Sequence, residues 1–206
     1  KIKELFEVQD IGELAESIKN NHDSILIWLA GIYVHIPFCE KRCYYCDFYS
    51  VANKNKINDF IKALISEIKL KQGFFLDKKE PIKTIYFGGG TPSVLSIGQL
   101  EIIINEIAKI FDISEVVECT IEVNPDDINA EYVKGLKSIG FNRVSIGIQS
   151  FDNGLLKLMN RRHSKEDAIK AVYEFYNAGI NNISVDLIYG LPGTDEIYWE
   201  NTLLEA

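Results

Sequence analysis

The chain has 206 residues, 47% of them hydrophobic and 25% charged, a balance that supports one sizeable core and excludes a disordered chain. Its net charge of −8, with no long basic run, excludes a nucleic-acid surface, which needs basic patches against phosphate. The apolar run Ser24 to Gly31 is too short to span a bilayer and no basic signal region precedes it, so the reading is a cytoplasmic protein without a membrane span.

Residues 1–30 read as an N-terminal extension of unknown role. Ile11, Leu14, Ala15 and Ile18 share one helical face, Asn20 to Asp23 reads as a turn with His22 solvated in it, and Ser24 to Ala30 reads as a short buried strand. From Ile32 onward strands and helices alternate with short joints, the pattern of parallel β/α units. Strand 1 is Ile32 to Ile36. A helix follows from Ile57 to about Gln72, with Ile57, Phe60, Ile61, Leu64, Ile65 and Ile68 as its buried stripe. Strand 2, Thr84 to Phe87, runs into the glycines Gly88-Gly89-Gly90. Ser96 and Gln99 then form a capping-box pattern for the second helix. Strand 3, Glu118 to Val123, is followed by Asn124-Pro125 and a helix from Ala130 to Ile139 closed by Gly140. Strand 4, Arg143 to Ile148, leads to a short helix from Asn153 to Met159. Ser164 caps another that stops at Gly179. Strand 5, Ile183 to Ile188, reads as apolar on both faces and precedes a last helix. Five such units form either an open doubly wound sheet or a barrel, and periodicity does not choose between them.

Three of the four cysteines fall within eight residues, as Cys39, Cys43 and Cys46 in the pattern C-x3-C-x2-C. A short loop of this kind turns three thiolates toward one point. Thiolate selects soft metals, so the spacing predicts a [4Fe–4S] cluster with one iron left open, or a Cys3His zinc site completed by His35 or a distant residue. Cys119 reads as a buried thiol, and the grouping suits a reducing compartment better than a disulfide framework. In parallel β/α folds ligands bind at the carboxyl ends of the strands. Here those ends carry the cysteine loop, the glycine run with Thr91, Glu122 with Asn124, Gln149, and Asp186, five features that predict one shared site. The glycines lack the lysine of a phosphate loop but let a ligand approach the backbone. Glu122 and Asp186 stand in otherwise apolar runs and require a partner or a ligand. Arg162 and His163 read as solvated, and His35 as facing core or substrate.

The cysteine spacing between a strand and a helix resembles the radical S-adenosylmethionine (SAM) superfamily. The flanks Gly31-Ile-Tyr-Val-His-Ile-Pro-Phe-Cys39 and Cys46-Asp-Phe-Tyr-Ser50 are similar to its oxygen-independent coproporphyrinogen III oxidase-like branch. The resemblance implies an α/β fold, a partial (β/α) barrel with five of six units present. Residues 31–206 would then be a radical SAM core truncated before the sixth unit and a C-terminal domain. It implies that Cys39, Cys43 and Cys46 hold a [4Fe–4S] cluster, that the amino and carboxylate groups of SAM chelate the open iron, and that electron transfer cleaves SAM to a 5′-deoxyadenosyl radical. The positions matching SAM-binding residues are Tyr33, Tyr45, Gly89, Gly90, Thr91, Glu122, Gln149, Arg161 and Asp186. Arg161 is suited to the carboxylate through paired hydrogen bonds. Oxidases of the branch carry a fourth cysteine two positions after the third. Phe48 stands there, which is more similar to the HemW-type haem chaperones. The implied function is therefore a chaperone that binds haem through a motif beyond residue 206 and delivers it to respiratory acceptor proteins, with an electron donor as a further partner. Two alternatives stand beside it, an oxygen-independent coproporphyrinogen III oxidase acting on a porphyrinogen, and a zinc-stabilised interaction domain.

Overall fold

The computed structural model describes residues 30–75 and 81–206. The helix, turn and most of the strand expected before residue 30 lie outside the described residues, His22 among them. Five strands, β1 (Ala30–Ile36), β2 (Ile82–Gly89), β3 (Glu118–Val123), β4 (Arg143–Gln149) and β5 (Asn182–Leu187), pair in parallel in the order β1-β2-β3-β4-β5. The helices are α1 (Ile57–Leu70), α2 (Ile97–Ile110), α3 (Ala130–Ser138), α4 (Asn153–Leu158), α5 (Lys165–Asn177) and α6 (Glu196–Glu205).

Strand order answers what periodicity left open. Sequential parallel strands joined by right-handed crossovers put every helix on the same side of the sheet. Helices α1 and α2, α2 and α3, and α3 and α5 accordingly pack against one another in turn. A doubly wound sheet reverses its strand order and carries helices on both faces. This sheet does neither and is a sector of a barrel.

Alternation along the strands divides the two faces. Val34, Ile36, Ile85, Phe87, Ile121, Val123, Val144, Ile146 and Ile148 are buried beneath the helices. They meet Ile61 and Ile68 of α1, Leu100, Ile103 and Ile107 of α2, and Ala168, Ala171 and Phe175 of α5 in one core. The residues between them form the concave face, where Tyr33, Tyr86, Thr120, Arg143 and Asn182 follow one another across the register. On β5 the core side carries Ile183, Val185 and Leu187, and the concave side carries Asn182, Ser184 and Asp186. The expectation that this strand is apolar on both faces is therefore wrong, because polar residues recur at every second position of an otherwise apolar run.

Two residues expected in solvent are held instead. Arg162 pairs with Asp126 at 2.6 Å and Asp127 at 2.8 Å. His163 is only 4% exposed. Its Nε2–H donates to the Ile148 carbonyl at 2.9 Å, while Nδ1 is buried with no hydrogen-bond partner among the described residues. Burial, more than the nearby Arg161 charge, pushes the imidazole down to about 4. The fold thus favours the neutral ring, whereas the unfolded chain takes up a proton near pH 6.5. Stability from this group is complete above about pH 6.5 and is lost as the pH falls toward 4, by up to about 3 kcal/mol. Urea denaturation at pH 7 and pH 5 is expected to show a larger loss for the native sequence than for His163→Asn. Equal losses would mean that the ring does not titrate with folding.

Candidate cofactor site at the strand ends

β1 runs into a loop, residues 37–50, closed at its base by a parallel bridge between Phe38 and Val51. The Val51 N–H donates to the Pro37 carbonyl at 2.7 Å, and the Cys39 N–H to the Val51 carbonyl at 3.3 Å. Phe38 anchors the loop in the core, edge-on to Phe60 at 5.3 Å, while Tyr44, Phe48 and Tyr49 of the same aromatic group are exposed. The glycine run after β2 grips the loop from the side, with the Gly90 N–H donating to the Ile36 carbonyl and the Thr91 N–H to the Phe38 carbonyl, both at 2.8 Å. Glycine is required at position 90, since a Cβ there would stand 2.7 Å from the Phe38 oxygen and 3.1 Å from Cys39 Sγ. The Thr91 hydroxyl reaches the same sulfur at 3.4 Å.

Cys39, Cys43 and Cys46 are free thiols of intermediate burial, and Cys119 is buried. Burial pushes the Cys119 thiol up to about 12, in keeping with a structural thiol. The three loop cysteines line one cavity of about 450 Å³. Among the described residues no group of three Cys, His, Asp or Glu side chains stands close enough to hold a metal ion. Crowding thiolates is favourable only with a cation between them, which couples closure of such a site to metal binding.

Every position matched to a SAM-binding residue lines this same cavity: Tyr33, Tyr45, Gly89, Gly90, Thr91, Glu122, Gln149, Arg161 and Asp186. Glu122 accepts from the Tyr86 hydroxyl at 2.7 Å and the Gly89 N–H at 3.1 Å, which ties β3 to the end of β2. Asp186 accepts from the Ser145 hydroxyl at 3.0 Å. It is exposed rather than the buried carboxylate its apolar neighbours suggested, because it faces the open concave side. Gln149 follows a register shift between β4 and β5 and takes φ +69°, a conformation costing about 1 kcal/mol for a residue with a side chain. His35 is exposed and bonds the Tyr33 hydroxyl at 3.0 Å through Nδ1.

Arg161 links the walls. Its Nη2 donates to Asn124 Oδ1 at 2.7 Å and the Gly147 carbonyl at 2.6 Å. Its Nη1 approaches Tyr45 Oη at 3.4 Å and Cys43 Sγ at 3.5 Å. The Nε–H is buried without a hydrogen-bond partner among the described residues. Burial pushes the Tyr45 phenol up to about 12, so it remains protonated beside the guanidinium.

Sequence reasoning left Ser145 and Gly147 out of the site although both line the cavity. The signal was present, since they stand four and two positions before Gln149 on an alternating strand. Asn124, expected at the shared site with Glu122, lines the cavity too; it accepts from Arg161 and donates from Nδ2 to Thr91 Oγ1 at 3.4 Å. As a donor set the cavity offers thiols to a soft metal, an unpaired buried N–H that calls for an acceptor, and two carboxylates suited to a cationic group. These residues fit an iron–sulfur cluster beside a zwitterionic ligand.

Residues 33–206 match the family model of the radical SAM superfamily. A protein named heme chaperone HemW from Lactococcus lactis is 44% identical over 162 residues, covering 78% of this chain and 41% of its own. A protein of the same name from Bacillus subtilis is 36% identical over 180 residues, covering 86% and 47%. An oxygen-independent coproporphyrinogen III oxidase from Synechocystis is 33% identical over 175 residues, covering 84% and 37%. The chain thus spans less than half the length of these relatives. The solved coproporphyrinogen III oxidase (HemN) from Escherichia coli, described as a radical SAM enzyme, superposes with a TM-score of 0.78 at 30% identity, over 85% of this chain and 40% of that one. With a family match running from β1 to the last residue, on a barrel sector whose strand ends meet the cysteine loop, the chain belongs to the radical SAM superfamily.

Proposed function

We propose that Cys39, Cys43 and Cys46 hold a [4Fe–4S] cluster with one iron left to SAM, and that the whole protein is a cytoplasmic haem chaperone delivering haem to respiratory acceptor proteins. The observation that carries the first part is the meeting of three cysteines and the nine positions matched to SAM-binding residues around one cavity of about 450 Å³, a size suited to a small-molecule cofactor. The second part rests on the 44% identity to a protein named a heme chaperone, and on Phe48 standing where oxidases of the branch carry a fourth cysteine. The haem site is proposed beyond residue 206, and a separate protein would donate the electrons. Among the described residues no helix is long and apolar enough to cross a membrane.

When bound, the cluster and SAM supply electron transfer into the sulfonium and a 5′-deoxyadenosyl radical. The chain's own residues bind and orient. Arg161 would receive the carboxylate of SAM at its unpaired side. Gly89 and Gly90 leave the backbone open to the amino end, with Thr91 beside them. Glu122, Gln149 and Asp186 offer acceptors to amino and hydroxyl groups, and Tyr33 and Tyr45 form aromatic walls. A second reading, an oxygen-independent coproporphyrinogen III oxidase, is favoured by the superposition with the Escherichia coli enzyme at a TM-score of 0.78.

Anaerobic reconstitution of the full-length protein is expected to give a reduced [4Fe–4S] EPR signal that shifts on adding SAM and is lost in Cys43→Ala. Bound zinc without iron or sulfide would sink the cluster and leave a zinc-stapled interaction domain. Haem binding without porphyrinogen turnover supports the chaperone, and deoxyadenosine formation coupled to loss of coproporphyrinogen supports the oxidase. Arg161→Lys keeps the charge but loses the planar fork, so calorimetry is expected to show SAM binding weakened by about tenfold or more. Unchanged affinity would remove Arg161 from the SAM site.

A further inference from the structure

Three of the helices end in the same way. α3, α4 and α5 are each closed by a residue in the left-handed region, Gly140 at φ +100°, Asn160 at φ +63° and Gly179 at φ +76°. In each case that residue's N–H returns to the carbonyl three positions back, of Lys137, Lys157 and Tyr176 respectively. The next N–H returns to the carbonyl five positions back, of Leu136, Leu156 and Phe175. This is the Schellman pattern, in which glycine is the ordinary residue because it has no Cβ to crowd the turn. Two of the three positions follow that rule, and the third holds asparagine at a steric cost that the cap itself does not require.

The side chain at that third position has a separate use. Asn160 Nδ2 donates to the Arg42 carbonyl at 2.7 Å, across 118 positions of sequence and in the middle of the cysteine loop. Beside it the Met159 carbonyl accepts from the Tyr44 N–H at 3.1 Å. The residue after it is Arg161, whose guanidinium lies against Cys43 and Tyr45. Arg42 in turn spans the second half of the loop, with Nη2 donating to the Cys46 carbonyl at 3.3 Å. Among the residues that enter the left-handed region most readily, glycine has no side-chain donor and an ionised aspartate would set oxygen against oxygen. Asparagine alone of the three both tolerates the turn and donates.

We propose that Asn160 is a positioning residue for the cysteine loop. It touches no thiol and acts by fixing the peptide between Cys39 and Cys43, so that the sulfurs stand in register with Arg161. The consequence for iron rests on the reading of the three cysteines as cluster ligands. The consequence for the loop does not.

The discriminating variant is Asn160→Gly in the full-length protein, which keeps the left-handed cap and removes only the amide. Its thermal midpoint is expected to equal or exceed that of the native sequence. In metal-free protein, alkylation of Cys43 and Cys46 by iodoacetamide, resolved by mass spectrometry, is expected to accelerate about three- to tenfold, the scale of one lost hydrogen bond. Reconstituted iron is expected to pass to a chelator faster by a similar factor. Asn160→Ala, which gives up the turn preference too, should also lower the midpoint. Native alkylation rates in Asn160→Gly would overturn the proposal. So would a fall in its midpoint that accounts for the faster alkylation, since Asn160 would then serve α4 alone. Because alkylation needs no cluster, it decides the role of Asn160 even where iron fails to load and the cluster reading falls.

Discussion

A guanidinium keeps its charge inside a protein, so wherever Arg161 is placed its N–H groups must find acceptors. It finds them at the ends of β3 and β4, in Asn124 Oδ1 and the Gly147 carbonyl, and in the cysteine loop at Tyr45 and Cys43. Asn124 is itself held. The Asn124 N–H donates to Ser93 Oγ at 3.1 Å, and the Ser93 hydroxyl donates to Asp127 at 2.7 Å. Asp127 and Asp126 grip Arg162. Successive arginines therefore point to opposite sides of one turn, one into the cavity and one into an acid pair. The Asp126 carboxyl is pushed upward by burial and by the charge of Asp127, and Arg162 acts against that shift. The acid pair and the cavity are thus two ends of one hydrogen-bonded chain.

What the sequence revealed and what it hid follow from the range of the interactions involved. β3 was legible residue for residue, and the start of α2 was fixed by Ser96 and Gln99, which bond reciprocally at 3.3 and 3.0 Å. Both signals lie within a few positions of the element they define. Gly89, Gly90, Thr91, Glu122, Gln149, Asp186 and the three cysteines share one cavity because they stand near the end of a strand or in the loop that follows one, and a parallel β/α chain brings those ends to one rim; Tyr33, Tyr45 and Arg161 were reached through the family resemblance. The errors fell where the partner is distant. Arg162 looked solvated because its acids stand 35 and 36 positions earlier. His163 looked exposed because its acceptor, the Ile148 carbonyl, stands 15 positions earlier. Barrel or open sheet was undecidable because strand order is not a local property.

The concave face shows why so polar a surface can line a stable sheet. A closed β/α barrel fills its interior with layers of bulky side chains. Here the core is on the helix side, and the other face bonds to itself across the strands. Tyr86 stands opposite Thr120 in register yet bonds Glu122, two residues on, and Ser145 stands opposite Ser184 yet bonds Asp186. Both pairs step the same way, the stagger that strand tilt imposes in a barrel. Lower down, Arg143 reaches Ser184 at 2.7 Å, Thr120 at 3.4 Å and Glu118 at 3.9 Å. The hydroxyl of the fully buried Thr120 donates to Glu118 Oε1 at 2.8 Å. The concave face beneath the cavity therefore pairs these polar groups within the sheet. The unspent capacity lies at the rim, in the Nε–H of Arg161 and the thiols of the loop. Selectivity for a bound group is consequently set where strands become loops, and the sheet beneath can hold its shape whether or not that rim is engaged.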